Sequence, residues 1–386
     1  MKDQCPICGD RDLRPFLTRT GVPVHQNLVF RSEADARQVP RGDLRLTLCV
    51  SCGFIFNQSF DPSKVAYGPG YDNTQTCSKY YERYLDDLVD ELIARRGVHD
   101  HHIVEIGCGN GSFLRKLVSA SGAHNSGQGI DPSYSGPLAE LDGRLQFQTD
   151  FYKPGSGFVE GDVVICRHVL EHVQYPIDFL RGLRDDLAKI PHARVFFETP
   201  CVEWILSDVV FWDFFYEHCS YFSAGSLVTA FEAVGYSVNA VTRVFGDQYL
   251  WLEACVQPPP SPVSRDGELM SGLVDRYADA EAQTMAGWKE RMGTASAISG
   301  AALWGAGAKG VTLANLIDAD RELITCVVDV NPNKQGAFVA GSGHPIVDYH
   351  ELPALGVGTV FPLNPNYRDE ILNMIQASEL TITLAG

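Results

Sequence analysis

The chain has 386 residues, of which 45% are hydrophobic, 10% aromatic and 20% charged. That balance excludes a mainly disordered or collagen-like chain, and the length allows two or three domains with a sizeable core. A formal charge of -17, from 31 Lys and Arg against 48 Asp and Glu, argues against general affinity for a nucleic-acid backbone and leaves anionic ligands dependent on local donors. No run of 18 apolar residues marks a membrane span, and the opening MKDQCPICGD has no apolar signal region. Eleven dispersed cysteines then fit a reduced, cytoplasmic setting in which some thiols are ligands.

Cys5-Pro-Ile-Cys8-Gly and Cys49-Val-Ser-Cys52-Gly are matching knuckles. Each Cys-x-x-Cys can turn two thiolates toward one tetrahedral ion, and the following glycine permits the positive φ such a turn needs. Four thiolates leave no open position, so the spacing predicts structural zinc held by Cys5, Cys8, Cys49 and Cys52 in a module over residues 1–75. The long stretch between the knuckles is expected to carry substrate-facing or interdomain structure.

Next comes SKYYERYLDDLVDELIARRG, whose apolar spacing predicts a helix. A strand over Ile103–Ile106 follows, then a turn reading Glu105-Ile-Gly107-Cys-Gly109-Asn-Gly111, then an amphipathic helix from Ser112. Strand, glycine-rich turn and helix bring backbone close to a ligand in a doubly wound sheet. The turn reads E-x-G-x-G-x-G rather than the pyrophosphate pattern G-x-G-x-x-G. It resembles motif I of class I S-adenosylmethionine (SAM)-dependent methyltransferases, in which Glu105 suits the cationic methionine end of the cofactor. GQGIDPS places Asp131 where a carboxylate accepts both ribose hydroxyls, TDFY offers Asp150 near the adenine amino group, and DVVICRHVLEHV supplies His168 and His172. His168 is expected beside the cofactor. The methyltransferase core is expected over 76–257, closed by strands in SVNAVTRVF and QYLWLEACVQ.

The candidate catalytic segment is FWDFFYEHCSYFSAGSL. Tyr216, Glu217 and His218 stand together before a helix capped near Ser223, and an aromatic wall can tune a histidine toward a base. Glu217 is expected to orient that imidazole or hold the resulting imidazolium, with Tyr216 as a substitute base.

Pro258-Pro-Pro-Ser-Pro262 marks a boundary, and a polar helix over Val263–Met292 is expected to bridge, within a linker of 258–298, to a last domain over 299–386. There LWGAGAKG gives Gly305-x-Gly307-x-x-Gly310, with Asp329 ending the next strand. That spacing is also a dinucleotide fingerprint, and the turn with Lys309 has the means to hold a substrate phosphate.

Knuckles, methyltransferase core, E-H-x-S-Y-F-S segment and the LWGAGAKGVTLANLI…VVDVNPNKQG ending together resemble the sugar C-methyltransferases of deoxysugar biosynthesis over nearly the full length. The resemblance implies an α/β fold: a class I methyltransferase doubly wound sheet, an N-terminal zinc-binding module and a C-terminal Rossmann-like domain. It implies SAM and structural Zn2+ as cofactors, and a small-molecule acceptor, a nucleotide-linked keto sugar. It further implies that His218 removes a proton beside the keto group before methyl transfer, with Glu217 in the same site. Phe215 and Asn73 stand where the family tends to carry tyrosines. A non-sugar acceptor, methylated on oxygen or carbon, is therefore the alternative, with an inactive zinc-dependent scaffold as the non-enzymatic rival.

Overall fold

A computed structural model describes residues 3–66, 70–155, 161–190, 192–257 and 266–385. The expected boundary at Pro258–Pro262, and the start of the bridging helix at Val263, lie outside the described residues. Three sheets organise the chain. The first is antiparallel: β1 (Leu13–Pro23), then the short helix α1 (Glu33–Arg37), β2 (Arg41–Cys49) and β3 (Ile55–Asn57). Along β2 the alternation of Leu44, Leu46 and Leu48 buries one face, the period of a half-buried strand.

The central sheet follows α2 (Lys79–Asp90), whose N-cap Ser78 accepts from the Tyr81 N–H and whose Tyr81, Leu85, Leu88 and Val89 are buried. Its strands are β4 (His102–Ile106), β5 (Ser126–Ile130), β6 (Ala139–Glu140), β7 (Leu145–Gln148), β8 (Val163–Arg167) and β9 (Arg194–Pro200). Between them run α3 (Ser112–Ser119), α4 (Pro176–Asp186) and, after β9, α5 (Val202–Ser207). The remaining core elements are β10 (Ser220–Tyr221), α6 (Ala224–Ala233), β11 (Ser237–Val244) and β12 (Tyr249–Cys255).

The central sheet runs β11-β12-β9-β8-β4-β5-β7-β6. Strands β7, β5, β4, β8 and β9 are parallel, and β12 enters antiparallel to β9. The chain runs outward from β4 and then returns to β8 on its other side. The crevice beyond the carboxyl ends of β4 and β8 is therefore the topological switch point, where such sheets bind ligands. β10 belongs to the first sheet instead, pairing Ser220 with Phe56 and Tyr221 with Ile55 of β3. The segment just after His218 is thereby stitched to the cysteine module.

Helix α7 (Gly267–Ser299) runs past the expected end at Met292 and straight through Gly293, stopping only at Gly300, whose φ is 68°. It is no bare linker: Met270, Leu273, Val274 and Tyr277 are buried in a cluster with residues of the first and last sheets and of α5. The last sheet is wholly parallel, in the order β15-β14-β13-β16-β17. Its strands are β13 (Ala301–Trp304), β14 (Cys326–Val328), β15 (Ile346–Val347), β16 (Thr359–Pro362) and β17 (Thr383–Leu384), with helices α8 (Ala308–Ile317) and α9 (Arg368–Ala377). Its switch point lies between β13 and β16 and faces the central domain. The stretch between the knuckles leaves the first sheet and reaches this domain. Leu28 bridges to Tyr71, Phe30 bridges to Phe338, and Arg31 donates to the carbonyls of Gln335 and Asn333. Among the described residues no helix is long and apolar enough to cross a membrane.

Candidate functional site

The cysteine knuckles form a tight cluster. Sγ of Cys5 lies 3.6 Å from that of Cys52, Cys8 lies 3.5 Å from Cys49, and all four sulfurs are within 4.8 Å of one another. A tetrahedral zinc with sulfur at about 2.3 Å spaces its ligands about 3.8 Å apart, so the cluster has the dimensions of such a site. Gly9 and Gly53, after each knuckle, have φ of 75° and 78°. Cys5, Cys49 and Cys52 are buried.

One cleft opens at the switch point of the central sheet, lined by Glu105, Gly107, Gly109, Asp131, Asp150 and His168. The turn after β4 explains its glycines. Gly107 has φ of 75°, and a Cβ there would stand 2.1 Å from Val169, whereas a Cβ on Gly109 would meet nothing, because that residue faces open cleft. Gly111 caps α3 in the left-handed region. Asp131 holds the floor together: its Oδ2 accepts from the Gly109 N–H at 2.9 Å, and its Oδ1 accepts from Ser133 N and Oγ. A carboxylate has further lone pairs, so these bonds orient it without using it up. Glu105 is buried and its Oε2 has no hydrogen-bond partner. Burial pushes its carboxyl up to about 8, with the nearby Asp131 charge acting in the same sense and Arg167 against it. Asp150 is exposed at the rim, its carboxylate held by the Phe151 N–H and Lys153.

Beneath that cleft lies a buried ionic set. Arg167 pairs with Glu198 at 3.2 Å, and Tyr84 donates to the same carboxylate. His168 sits in a strained backbone with φ of 54°. Its Nε2 is 2.7 Å from Glu198 Oε1, an ionic contact off the hydrogen-bond direction, and its Nδ1 is 3.4 Å from Glu171. Burial alone would lower its pKa, but the carboxylates of Glu198 and Glu171 outweigh that and lift it to about 9. Glu198 is held down at about 2 because Arg167 and His168 overcome its burial.

A second cleft lies between the central and last domains, walled by the carboxyl ends of β13 and β16 and by the segment before β10. His168, His172, Tyr71 and Asn73 border both clefts, so the two are one continuous hollow with a waist. His218 faces the second cleft. Its ring keeps some contact with that space yet sits deep, and its Nδ1 has no hydrogen-bond partner. Phe215 covers it at 4.1 Å between centroids, and His172 stands edge-on at 4.8 Å. Burial, followed by the charges of His172, His168 and Lys309, holds its pKa well below the usual 6.5. His172 Nδ1 is 3.0 Å from the Glu217 carbonyl, which can only accept, so that nitrogen carries the proton.

Two expectations about this segment need correction. Glu217 does not orient His218. Its carboxylate turns the other way, with Oε1 3.2 Å from His25 Nδ1 and Oε2 accepting from Tyr71 at 3.4 Å. The Ala66 N–H donates to His25 Nε2, which fixes His25 as the tautomer that donates to Glu217. Tyr216 is fully buried away from the cleft: its ring packs on Gly42 and its hydroxyl accepts from the Asp61 N–H at 2.9 Å. The cause in both cases is the first sheet, which offers Gly42 as a slot and His25 as a partner. Lys309 is also committed, bonded to Asp213 and lying over the Trp204 ring at 5.0 Å. His25 and Asn27 went unmarked in the sequence because no local motif announces them.

Comparison with known proteins agrees with this layout. Residues 78–241 match the family model of a methyltransferase domain, and residues 293–380 match that of the C-methyltransferase C-terminal domain. The class is thus that of the SAM-dependent methyltransferases with a class I fold. Within it, the chain is similar to C-methyltransferases: the C-methyltransferase NovU of Streptomyces niveus is 24% identical over 299 residues. That match spans 74% of this chain and 66% of NovU, just under two thirds of its length. Among solved structures, the riboflavin-related dimethyltransferase RosA of Streptomyces davawensis is 15% identical, with a TM-score of 0.37 over 46% of this chain and 55% of that one. The magnesium protoporphyrin IX methyltransferase ChlM of Synechocystis, with bound SAH, is 18% identical, with a TM-score of 0.34 over 46% and 83%.

Proposed function

We propose that the protein moves the methyl group of SAM onto a carbon beside a carbonyl of a small molecule, with His218 as the base. A nucleotide-linked keto sugar is the acceptor class. The observation that carries this reading is the waist: the cleft of the glycine-rich turn opens, past His168 and His172, onto a second cleft holding the unpaired His218 imidazole. SAM would be held in the first cleft by Glu105 toward its cationic methionine end, Asp131 on the ribose hydroxyls and Asp150 at the adenine rim, with His168 beside the cofactor. Gly107, Gly109 and Gly111 shape the turn against it.

In the reaction, His218 takes the proton from the acceptor carbon and the C–H pair becomes an enolate. The enolate carbon forms a bond to the methyl group while the methyl–sulfur bond breaks onto sulfur. Neutral S-adenosylhomocysteine and a protonated imidazole result, and the proton leaves to solvent. An enolate in an apolar recess needs a neutral base at the start, which burial of His218 supports. Glu217, held by His25 and Tyr71, fixes the cleft wall rather than the base. Zinc at Cys5, Cys8, Cys49 and Cys52 is structural, with all four positions filled by protein. A keto acceptor other than a sugar, methylated on carbon or oxygen, is the second reading; Phe215 favours it by setting an apolar ring against His218.

His218→Ala should leave SAM binding unchanged and cut turnover by about 10²–10⁴-fold. The intact enzyme should also exchange the acceptor's α-proton with deuterated water when S-adenosylhomocysteine replaces SAM. Absence of exchange, with the methyl group found on oxygen, would overturn carbon methylation.

A further inference from the structure

Beside the proposed base stands a carboxylate that the chemistry above does not use. Glu171 lines the second cleft with His172 and His218, and is only 1% exposed. Its Oε1 has no hydrogen-bond partner, and neither does Nδ1 of His218. His168 Nδ1 approaches the Glu171 carboxylate at 3.4 Å, too far for a charge-assisted bond. One carboxylate oxygen of Glu171 and one ring nitrogen each of His172 and His218 lie within 4.8 Å of one another. Leaving a buried carboxylate oxygen and an imidazole nitrogen without partners is costly unless a ligand completes them.

The backbone holds this group in place. Glu171 and His172 close a single 3-10 turn, Leu170–His172, after β8. The Cys219 N–H donates to the Glu171 carbonyl at 3.0 Å, and Ser220 Oγ donates to the Val173 carbonyl at 2.8 Å, which ties the turn to the His218 segment. Thr199 Oγ1 donates to Glu171 Oε2 at 3.1 Å, so Oε1 is the oxygen left to bind. His172 Nδ1 donates to the Glu217 carbonyl, which puts the lone pair of that ring on Nε2. A ring N–H on a backbone carbonyl, and a carboxylate fixed through its second oxygen, are the supports that metal ligands carry.

Two imidazoles and a carboxylate suit a borderline divalent cation such as Zn2+ rather than Mg2+ or Ca2+. Zinc at about 2.0–2.1 Å from each ligand atom spaces tetrahedral ligands about 3.3 Å apart. From a spread of at most 4.8 Å, that takes a closure of about 1.5 Å or less, which rotation of the two part-buried imidazoles supplies. We propose that Glu171, His172 and His218 form a second, exchangeable zinc site, and that Zn2+ bound there holds the enzyme inactive by occupying the lone pair of the base. The inhibitory half rests on His218 as the base, as read above; the metal site itself does not.

The test uses full-length protein carrying one zinc per chain in the cysteine module, titrated with Co2+ as the probe. A nitrogen–oxygen site should give weak visible d–d bands, without the near-ultraviolet charge-transfer bands of thiolate ligands. Glu171→Gln and His218→Ala should each weaken that binding at least about tenfold, since even outer-shell partners of a metal site are worth 10–100-fold. Should either variant fail to fold, NMR of the wild-type protein decides: Co2+ should shift the ring signals of His172 and His218, and shifts confined to the exposed His99 and His350 would count against the site. No bands in the wild-type protein, or unchanged bands in both variants, overturn it. A second equivalent of Zn2+ should also stop α-proton exchange in the S-adenosylhomocysteine complex, and a chelator too weak to strip the cysteine module should restore it. Exchange that continues or accelerates with the second zinc overturns the inhibition. The two readings fail separately: absence of exchange at every zinc level would sink carbon methylation, whereas the Co2+ spectrum reports the site without any turnover.

Discussion

Glu105 carries the sharpest consequence at the scale of a single side chain. Without cofactor its carboxyl is held at about 8 by burial, so near neutral pH it is mostly protonated. The cationic cofactor favours the ionised form, so binding below pH 8 must release a proton. SAM affinity should therefore rise with pH, by up to tenfold per unit, and level off above about 8. Glu105→Gln should flatten that slope, and calorimetry at several pH values checks both. Asp131→Ala, by removing a charged acceptor, should weaken SAM by roughly 1–3 kcal/mol; unchanged affinity would put the ribose elsewhere. For His218 the sign is opposite to that for Glu105. Its depressed pKa keeps it unprotonated through the neutral range, so at saturating SAM the acid limb of kcat/KM for the acceptor should fall below 6.5. A midpoint near 7 would point to another base.

Elements decide what was legible in the sequence. Glu105, the three glycines and Asp131 stand where strand, turn and helix alternate, so local pattern alone brings them to one crevice. The segment 211–219 has no such period. Which of Phe215, Tyr216 and Glu217 faces the cleft depends on Gly42 and His25, more than 170 positions earlier, which local spacing cannot encode. The end of α7 differs for a simpler reason: Gly293, just past Met292, is tolerated inside the helix, and only Gly300 adopts the positive φ that ends it. At the same scale, β10 ties the cysteine knuckles to the segment of the proposed base. Cys49→Ser should lose zinc by elemental analysis and lower the melting temperature. It should also reduce turnover, because Ser220–Tyr221, two residues past His218, pairs with β3 beside the knuckle. Full turnover in a metal-free variant would break that link.

For the molecule as a whole, the three sheets meet at one hollow rather than lying as beads on a string. The central sheet supplies the cofactor crevice, the last sheet the facing wall, and the first sheet the side wall through Asn27 and Tyr71. The 307-residue separation between Asn27 and Lys334 bears on how the enzyme comes into being. During synthesis all but Asn333 of the glycine-turn crevice has emerged once β12 is made, but the facing wall at β13 and β16 follows only afterwards. A growing chain would thus acquire its methyl donor before it can hold an acceptor, and the reactive sulfonium would wait in a half-built enzyme with nothing to alkylate but water or itself. Docking of the last domain onto Asn27 and Phe30 is then the step that turns a cofactor-binding protein into a transferase.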